Sequence, residues 1–141
     1  MACRAPRPRL GRLGPMGAFT KINLKEIEGG GSENVEARMP RKHLHSDHLG
    51  VSWFRYAPGH RNSMGHSHAV QEEVYVVVSG SGRMKLNEEI VELKPWDVVR
   101  VAPSTVGALA AGDDGLEVLA IGSDRADGGD GDRRGLVGRL K

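Results

Sequence analysis

The central part of the chain consists of short runs of apolar and β-branched residues that end at Gly, Pro or Asn. Alternating residues in such runs would face opposite sides of a sheet, so the runs predict β-strands. The predicted strands cover residues 51–57, 73–78, 83–86, 89–93, 97–102 and 116–122. Residues 35–39 form a weaker strand candidate, and residues 19–27 fit either a lead-in strand or a short helical turn. This pattern predicts an all-β sandwich or barrel of antiparallel strands.

Turn-forming residues separate these predicted strands. The segments SGSG at 79–82 and GDDG at 112–115 predict turns, and Asn87 with Glu88 predicts the tight turn of a hairpin. The chain holds 20 glycines. Glycine costs about 1 kcal/mol relative to alanine inside a helix, so this composition argues against a long helical bundle.

The charge is concentrated outside the predicted strands. Residues 1–16 contain four arginines and no acid, and residues 124–141 carry a net +1, which leaves −3 for residues 17–123 of the total of +2. We expect residues 17–123 to form one domain between an Arg/Pro-rich tail and a Gly/Asp/Arg tail. Residues 1–15 also fit an extension ahead of a start at Met16. Arginines without interleaved aromatics are a weak nucleic-acid signal, so we expect no such partner.

The chain has a single cysteine, Cys3, which excludes an internal disulfide and a Cys-rich zinc site. This cysteine usage is compatible with a reducing compartment, and we expect a cytoplasmic location. No segment approaches the roughly 18 apolar residues of a membrane helix. The first residues are basic but lack the apolar segment of a secretory signal.

The residues with the clearest chemistry are His66, His68 and Glu73. Two histidines separated by one residue face the same side of a strand, so both imidazoles can point into a barrel. An antiparallel turn can then bring the Glu73 carboxylate opposite them. Two histidines and one carboxylate with open positions suit Fe(II), and imidazole also suits Zn, Cu, Ni and Mn, so the metal stays undetermined.

The segment 58–82 resembles the first conserved motif of the cupin superfamily. The resemblance is carried by Gly59, His66, His68, Glu73 and Gly80, with four residues between His68 and Glu73 and six between Glu73 and Gly80. It extends over roughly residues 20–122. It implies a double-stranded β-helix, or jelly-roll barrel, with a divalent metal and a small-molecule ligand inside. Cupins often form homodimers through edge strands, so the resemblance also implies a homodimer.

The second cupin motif departs from the family pattern. The position of its ligand histidine falls on Gly107, and no histidine follows His68 anywhere in the chain. A three-ligand site remains, which can suffice because catalytic metals need open positions. One hypothesis is therefore a metal-dependent cupin enzyme, such as a dioxygenase, isomerase or decarboxylase, that uses Fe, Mn, Ni or Zn on a small polar molecule. The alternative is a metal-free cupin that binds or senses a small ligand without catalysis.

Further candidate residues follow from the same alternation. Tyr75 and Val77 share the face of Glu73, so we expect them to line the pocket. Glu72 must face the other way and is expected at the surface. His60 follows the Pro-Gly turn and fits either the pocket mouth or a turn histidine.

A second histidine cluster lies at His43, His45 and His48. Its flanking residues are Arg, Lys, Ser, Asp and Gly, which are typical of an exposed loop. Such a loop holds metal ligands less rigidly than strands do, so we expect solvated histidines here.

Overall fold

The computed structural model describes residues 17–62, 65–68 and 70–123. The two predicted tails, 1–16 and 124–141, lie outside the described residues. The elements are β1 (Gly30–Ser32), β2 (Val35–Arg38), α1 (Arg41–Leu44), β3 (Leu49–Tyr56), β4 (Glu73–Leu86), β5 (Glu89–Leu93), β6 (Val98–Val101) and β7 (Gly107–Ser123). Within the described ranges, no helix has the length and apolar character that would span a bilayer.

The strands form one antiparallel sheet that curves into a barrel. Its order is β1-β2-β3-β7-β4-β5, and β6 pairs with the first part of β4. The hairpin between β4 and β5 turns at Asn87, which adopts φ 53°, as the Asn-Glu pair predicts. The predicted all-β antiparallel class is therefore confirmed.

Two strands are longer than the sequence indicates. β4 continues through 79–82 and β7 continues through 112–115, so both turn predictions are wrong. The two strands pair from Glu73 with Gly122 to Leu86 with Gly107, with register shifts between Val77 and Ser79 and between Gly80 and Gly82. The glycines therefore allow a bend inside the ladder between β4 and β7. Because bends and turns both favour glycine, the composition does not distinguish them.

Gly80 and Gly115 face each other at this bend, and both have positive φ, 78° and 76°. A Cβ at Gly80 would collide with the carbonyl oxygen of Gly115. Only glycine combines that backbone conformation with so close an approach of two strands.

The core lies inside the barrel and is almost entirely apolar. No polar or charged residue in the described part of the chain is fully buried. The buried cluster draws on β3 to β7 and consists of Tyr56, Tyr75, Val77, Met84, Leu93, Val101, Leu109, Ala111, Leu116, Val118 and Ala120.

The lead-in segment crosses the outer face of the sheet without forming a strand. It makes a turn in which the Glu26 N–H donates to the Asn23 carbonyl at 3.1 Å. The Arg38 guanidinium donates to the carbonyls of Leu24 and Ile27 at 3.0 and 2.7 Å. Lys25 covers the ring of Trp53, with Nζ 3.6 Å from the ring centroid. Of the alternatives for 19–27, the turn is therefore the observed one.

Replacing Gly80 by alanine should destabilise the protein by about 2 kcal/mol or more, since the new Cβ meets a backbone carbonyl at a positive φ. Urea unfolding measures this change. Gly50→Ala is the matched control, because a Cβ at this strand glycine has no neighbour nearer than 3.8 Å. Equal stability of the two variants would contradict the role of Gly80 in the bend.

Candidate metal centre

Backbone pairing holds the His-x-His segment against the start of β7. The His66 N–H donates to the Gly107 carbonyl at 3.1 Å, and the Gly107 N–H donates back to the His66 carbonyl at 2.9 Å. The Ser104 N–H donates to the His68 carbonyl at 2.6 Å. Both histidines are thus fixed by long-range hydrogen bonds although they lie outside the named strands.

Glu73 is the first residue of β4 and brings its carboxylate to these imidazoles. One ligand atom from each of His66, His68 and Glu73 lies within 4.8 Å of the others. His68 Nε2 is 3.2 Å from Glu73 Oε1, and the two imidazole rings stand nearly perpendicular, with centroids 5.7 Å apart. Imidazole nitrogens and a carboxylate oxygen that converge in this way form a donor set for a transition-metal ion.

Tyr75 orients the carboxylate from the side opposite His68. Its hydroxyl donates to Glu73 Oε2 at 2.9 Å and lies 3.4 Å from His66 Nε2. Burial, together with the neighbouring Glu73 carboxylate, raises the pKa of Tyr75 well above its ordinary value. The tyrosine therefore stays protonated and donates, which leaves Glu73 Oε1 facing His68.

His66 occupies the more exposed side of the site, whereas His68 and Glu73 are half-buried. Desolvation of its ring lowers the pKa of His66, and this effect exceeds the opposing attraction of the Glu73 carboxylate. His66 is therefore neutral at neutral pH, which is the form that ligates metals.

The hydrogen bonding of the His68 nitrogens indicates whether these residues fit a metal ion. Both Nδ1 and Nε2 are buried, and neither has a hydrogen-bond partner among the described residues. Nε2 is close to Glu73 Oε1, but the contact is not aligned as a hydrogen bond. An unsatisfied buried nitrogen costs about 1–3 kcal/mol, and a metal ion would satisfy it. The donor set and the unsatisfied nitrogens fit a metal ion.

Two adjoining cavities lie at the site. The smaller one, about 10 Å³, is lined by the three candidate ligands together with Gln71 and Thr105, and it has the volume of one ion or water. The larger one is about 230 Å³ and extends between Phe54, Tyr56 and Leu109. The residues that border both cavities are His66, Tyr75, Met84 and Gly107.

The residues that the sequence assigns to the pocket lie in different places. Tyr75 borders both cavities. Val77 is 1% exposed and packs in the core, and it is not among the described residues that line either cavity. His60 stacks on Tyr56 with ring centroids 6.0 Å apart, and it too is absent from the described cavity walls.

Glu72, His43 and His48 lie at the surface as predicted, whereas His45 is half-buried and the predicted loop is helical over Arg41–Leu44. Glu72 points outward and pairs with Arg100 at 3.2 Å, as the alternation along β4 predicts. His43 lies on the short helix α1, and His45 and His48 follow it. These three do not converge on one point, because His66, His68 and Glu73 form the one such group among the described residues.

Several residues that line the cavities could not be predicted from the sequence. Met84 comes from the far half of β4, and Asn62 from the segment before the histidines. Tyr56 shares a face of β3 with Phe54, but alternation alone does not say which face is inside. Their positions follow from the long-range register of the barrel.

A cleft of about 580 Å³ is open and lies away from this donor set. Two of its acidic residues have contacts within it: Arg55 contacts Glu36 at 2.6 Å, and the Ser79 hydroxyl donates to Glu117 at 3.1 Å. Chemistry rather than volume therefore identifies the site.

The family model described as a cupin domain matches residues 52–122, and the chain belongs to this family. The matched segment contains His66, His68 and Glu73. The double-stranded β-helix that the sequence motif implies is thereby confirmed. Comparison with curated proteins gives no significant match.

Solved structures share the fold. KdgF from Halomonas sp. is 21% identical with a TM-score of 0.63, over 77% of this chain and 95% of that one. The cupin protein BF4112 from Bacteroides fragilis is 24% identical with a TM-score of 0.66, over 87% and 99%. Oxalate decarboxylase from Bacillus subtilis is 19% identical with a TM-score of 0.68, over 79% of this chain but 30% of its own. At these identities the likeness establishes the architecture.

Replacing His68 by leucine should raise the stability of the metal-free protein by about 1 kcal/mol, because the substitution removes two unsatisfied buried nitrogens. Urea unfolding at about pH 8, where an ordinary histidine is neutral, measures the change. His43→Leu, at an exposed position, should alter stability by less than about 0.5 kcal/mol. A clear loss of stability in His68→Leu would show that these nitrogens are satisfied.

Proposed function

We propose that this cupin binds one divalent metal ion through His66, His68 and Glu73 and acts on a small molecule held in the adjacent cavity. The observation that carries the proposal is the buried, unsatisfied pair of His68 nitrogens beside a converging imidazole and carboxylate. Natural proteins rarely retain such atoms without a partner. An ion at this point would take one of these two nitrogens as a ligand.

The chemistry of the site follows from its donor set. A bound divalent ion would supply Lewis acidity at this site. Tyr75 would hold Glu73 in place through its hydrogen bond and keep one carboxylate oxygen directed at His68. Three protein ligands leave positions for substrate or water. The alternatives that we propose for the reaction are those of a dioxygenase, an isomerase and a decarboxylase.

The metal is proposed as Fe, Mn, Ni or Zn, all of which accept imidazole and carboxylate ligands. The oxalate decarboxylase of Bacillus subtilis, which shares this fold at 20% identity and a TM-score of 0.68, is described with Mn(II) centres. That relative supports manganese as the first ion to test.

A metal-free ligand-binding cupin is the second candidate. The hydrogen bond from Tyr75 to Glu73 and the short distance from Tyr75 to His66 favour it, because the polar groups then partly satisfy one another. Gly107, which supplies no side chain where the family has a fourth ligand, also favours it. His68 is the residue that this alternative leaves unexplained.

Metal titration of chelator-treated protein tests the proposal. One equivalent of Mn, Fe, Ni or Zn should bind, and an ion at a hundredfold excess over its Kd should stabilise the fold by about 2.7 kcal/mol. His66→Ala, His68→Ala and Glu73→Gln should each weaken binding by about 100-fold, because each removes a ligand. Calorimetry and metal analysis measure uptake.

His60→Ala is the matched control for this titration, since His60 lies in the same region of the chain but outside the described cavity walls. Its affinity for the ion should equal that of the unaltered protein. If the ligand variants bind as much metal as this control, the metal-free alternative replaces the proposal.

We further propose that two copies of the chain pair through the open edge formed by β5 and β6. Ile90, Trp96 and Val98 are 57%, 76% and 64% exposed on these strands and the turn between them. Pairing would cover this apolar surface and protect an unpaired strand edge.

The cytoplasmic location likewise stays a prediction, based on cysteine usage.

Sedimentation of the purified protein should accordingly give a dimer, and Val98→Lys should shift it toward monomer by placing a charge in the buried edge. Phe19→Ser is the control, because Phe19 is 85% exposed in the lead-in segment, outside this edge. Identical dimer fractions in both variants would direct the search to another surface.

A further inference from the structure

We propose that the larger cavity selects a small monoanion with an apolar body and one oxygen-donor end, and that Gly107 is the specificity-determining position. This inference rests on the proposed metal binding and deepens it. The sequence predicts a small polar molecule as the ligand. The inference narrows this class to molecules whose polar groups lie at one end. The supporting observations concern the cavity wall, the charge of the site and the contacts around Gly107.

The wall of the larger cavity is mainly apolar. Phe54, Met84, Leu109 and Val35 form most of it, and Tyr56 contributes its ring. An apolar cavity of about 150 Å³ holds benzene, so 230 Å³ accommodates a single substituted ring or a branched chain of similar size. A polyhydroxylated ligand would leave its hydroxyl groups without partners along this wall.

Polar groups lie at particular points of the cavity. His66 and Tyr75 border it where it joins the ion pocket. The two other described polar side chains of the wall bind each other, since Asn62 donates to the Tyr56 hydroxyl at 3.5 Å. The donor end of a ligand therefore finds its partners at the ion pocket, while its body contacts apolar side chains.

The charge of the site favours a single negative charge. Neither cavity is lined by a lysine or arginine from the described residues. Two neutral imidazoles, one carboxylate and a divalent ion together carry +1. A monoanion neutralises this charge, whereas a dianion or a cation would leave a net charge at the site.

Gly107 lies where the two cavities adjoin, since it borders both of them. A Cβ added there would lie 3.3 Å from Met84 Cε and 3.6 Å from Leu86 Cδ2. Its backbone is already engaged in the reciprocal pairing with His66. A side chain at 107 would therefore press against Met84, which also borders both cavities, and would reduce the space between them.

Calorimetric titration of zinc-loaded protein tests the inference with benzoate, benzyl alcohol, phthalate and acetate as probes. Benzoate should bind about tenfold or more tightly than acetate, which lacks the ring, because the ring buries apolar surface. It should also exceed benzyl alcohol and phthalate by about tenfold, because these differ from it in charge. Removing the zinc should weaken benzoate binding by about tenfold or more, since no described basic side chain replaces the ion.

Gly107→Ala is the decisive variant. It should weaken benzoate binding by about tenfold while zinc affinity stays within about twofold, since the methyl group narrows the junction without removing a ligand. Gly50→Ala, which adds the same methyl group to a strand glycine with no neighbour within 3.8 Å, should leave both affinities unchanged. Phe54→Ala provides a second, half-buried position at which loss of apolar wall should weaken benzoate but not zinc binding.

The outcomes separate the two proposals. Zinc uptake with benzoate no tighter than acetate, or with equal benzoate affinity in Gly107→Ala and Gly50→Ala, overturns the ligand class and leaves metal binding intact. Absence of zinc uptake overturns the proposed metal function, and the ligand inference with it. The expected pattern, namely zinc-dependent benzoate binding that Gly107→Ala weakens, supports both.

Discussion

The ladder between β4 and β7 is the interaction on which the rest of the molecule depends. It runs from Glu73 opposite Gly122 to Leu86 opposite Gly107, and it bends where Gly80 meets Gly115. Because of the bend, the two halves of β4 face each other across the barrel: Tyr75 from one half and Met84 from the other line the same cavities. A straight ladder would place these side chains far apart along one strand, and the site would not form.

The candidate ligands could be predicted from the sequence because of their spacing, although His66 and His68 lie outside the named strands and are held by long-range hydrogen bonds. Alternation along a strand puts Glu73 inside and Glu72 outside, where it meets Arg100. The continuity of β4 and β7 could not be predicted, because glycine marks a turn and a bend inside a ladder in the same way. The residues of the cavity wall could not be predicted for a related reason. Tyr56, Asn62 and Met84 reach the wall through pairings between residues far apart in the sequence.

The polar site is confined within an apolar barrel. No described polar residue is fully buried, and the titratable groups near the core gather around Glu73. Tyr75 and His68 approach its two carboxylate oxygens from different sides, at 2.9 and 3.2 Å. In surroundings of low polarity such contacts act strongly, and so does any donor left without a partner. The unsatisfied nitrogens of His68 are therefore a cost to the metal-free fold, and ligation through one of them would remove part of that cost.

In the proposed function, the absence of a fourth ligand at Gly107 would change access to the site rather than its charge. A ligand histidine is neutral, so a glycine at 107 leaves the sum of the charges around an ion as it would be with four ligands. What glycine removes is volume at the junction between the ion pocket and the larger cavity, where a Cβ would already contact Met84. The backbone of Gly107 meanwhile keeps its pairing with His66, so the position of that histidine does not depend on a side chain at 107. In the proposed function, glycine at 107 would thus leave space beside the donor set, and a ligand that brings its own oxygen donor could take the place of a fourth protein ligand.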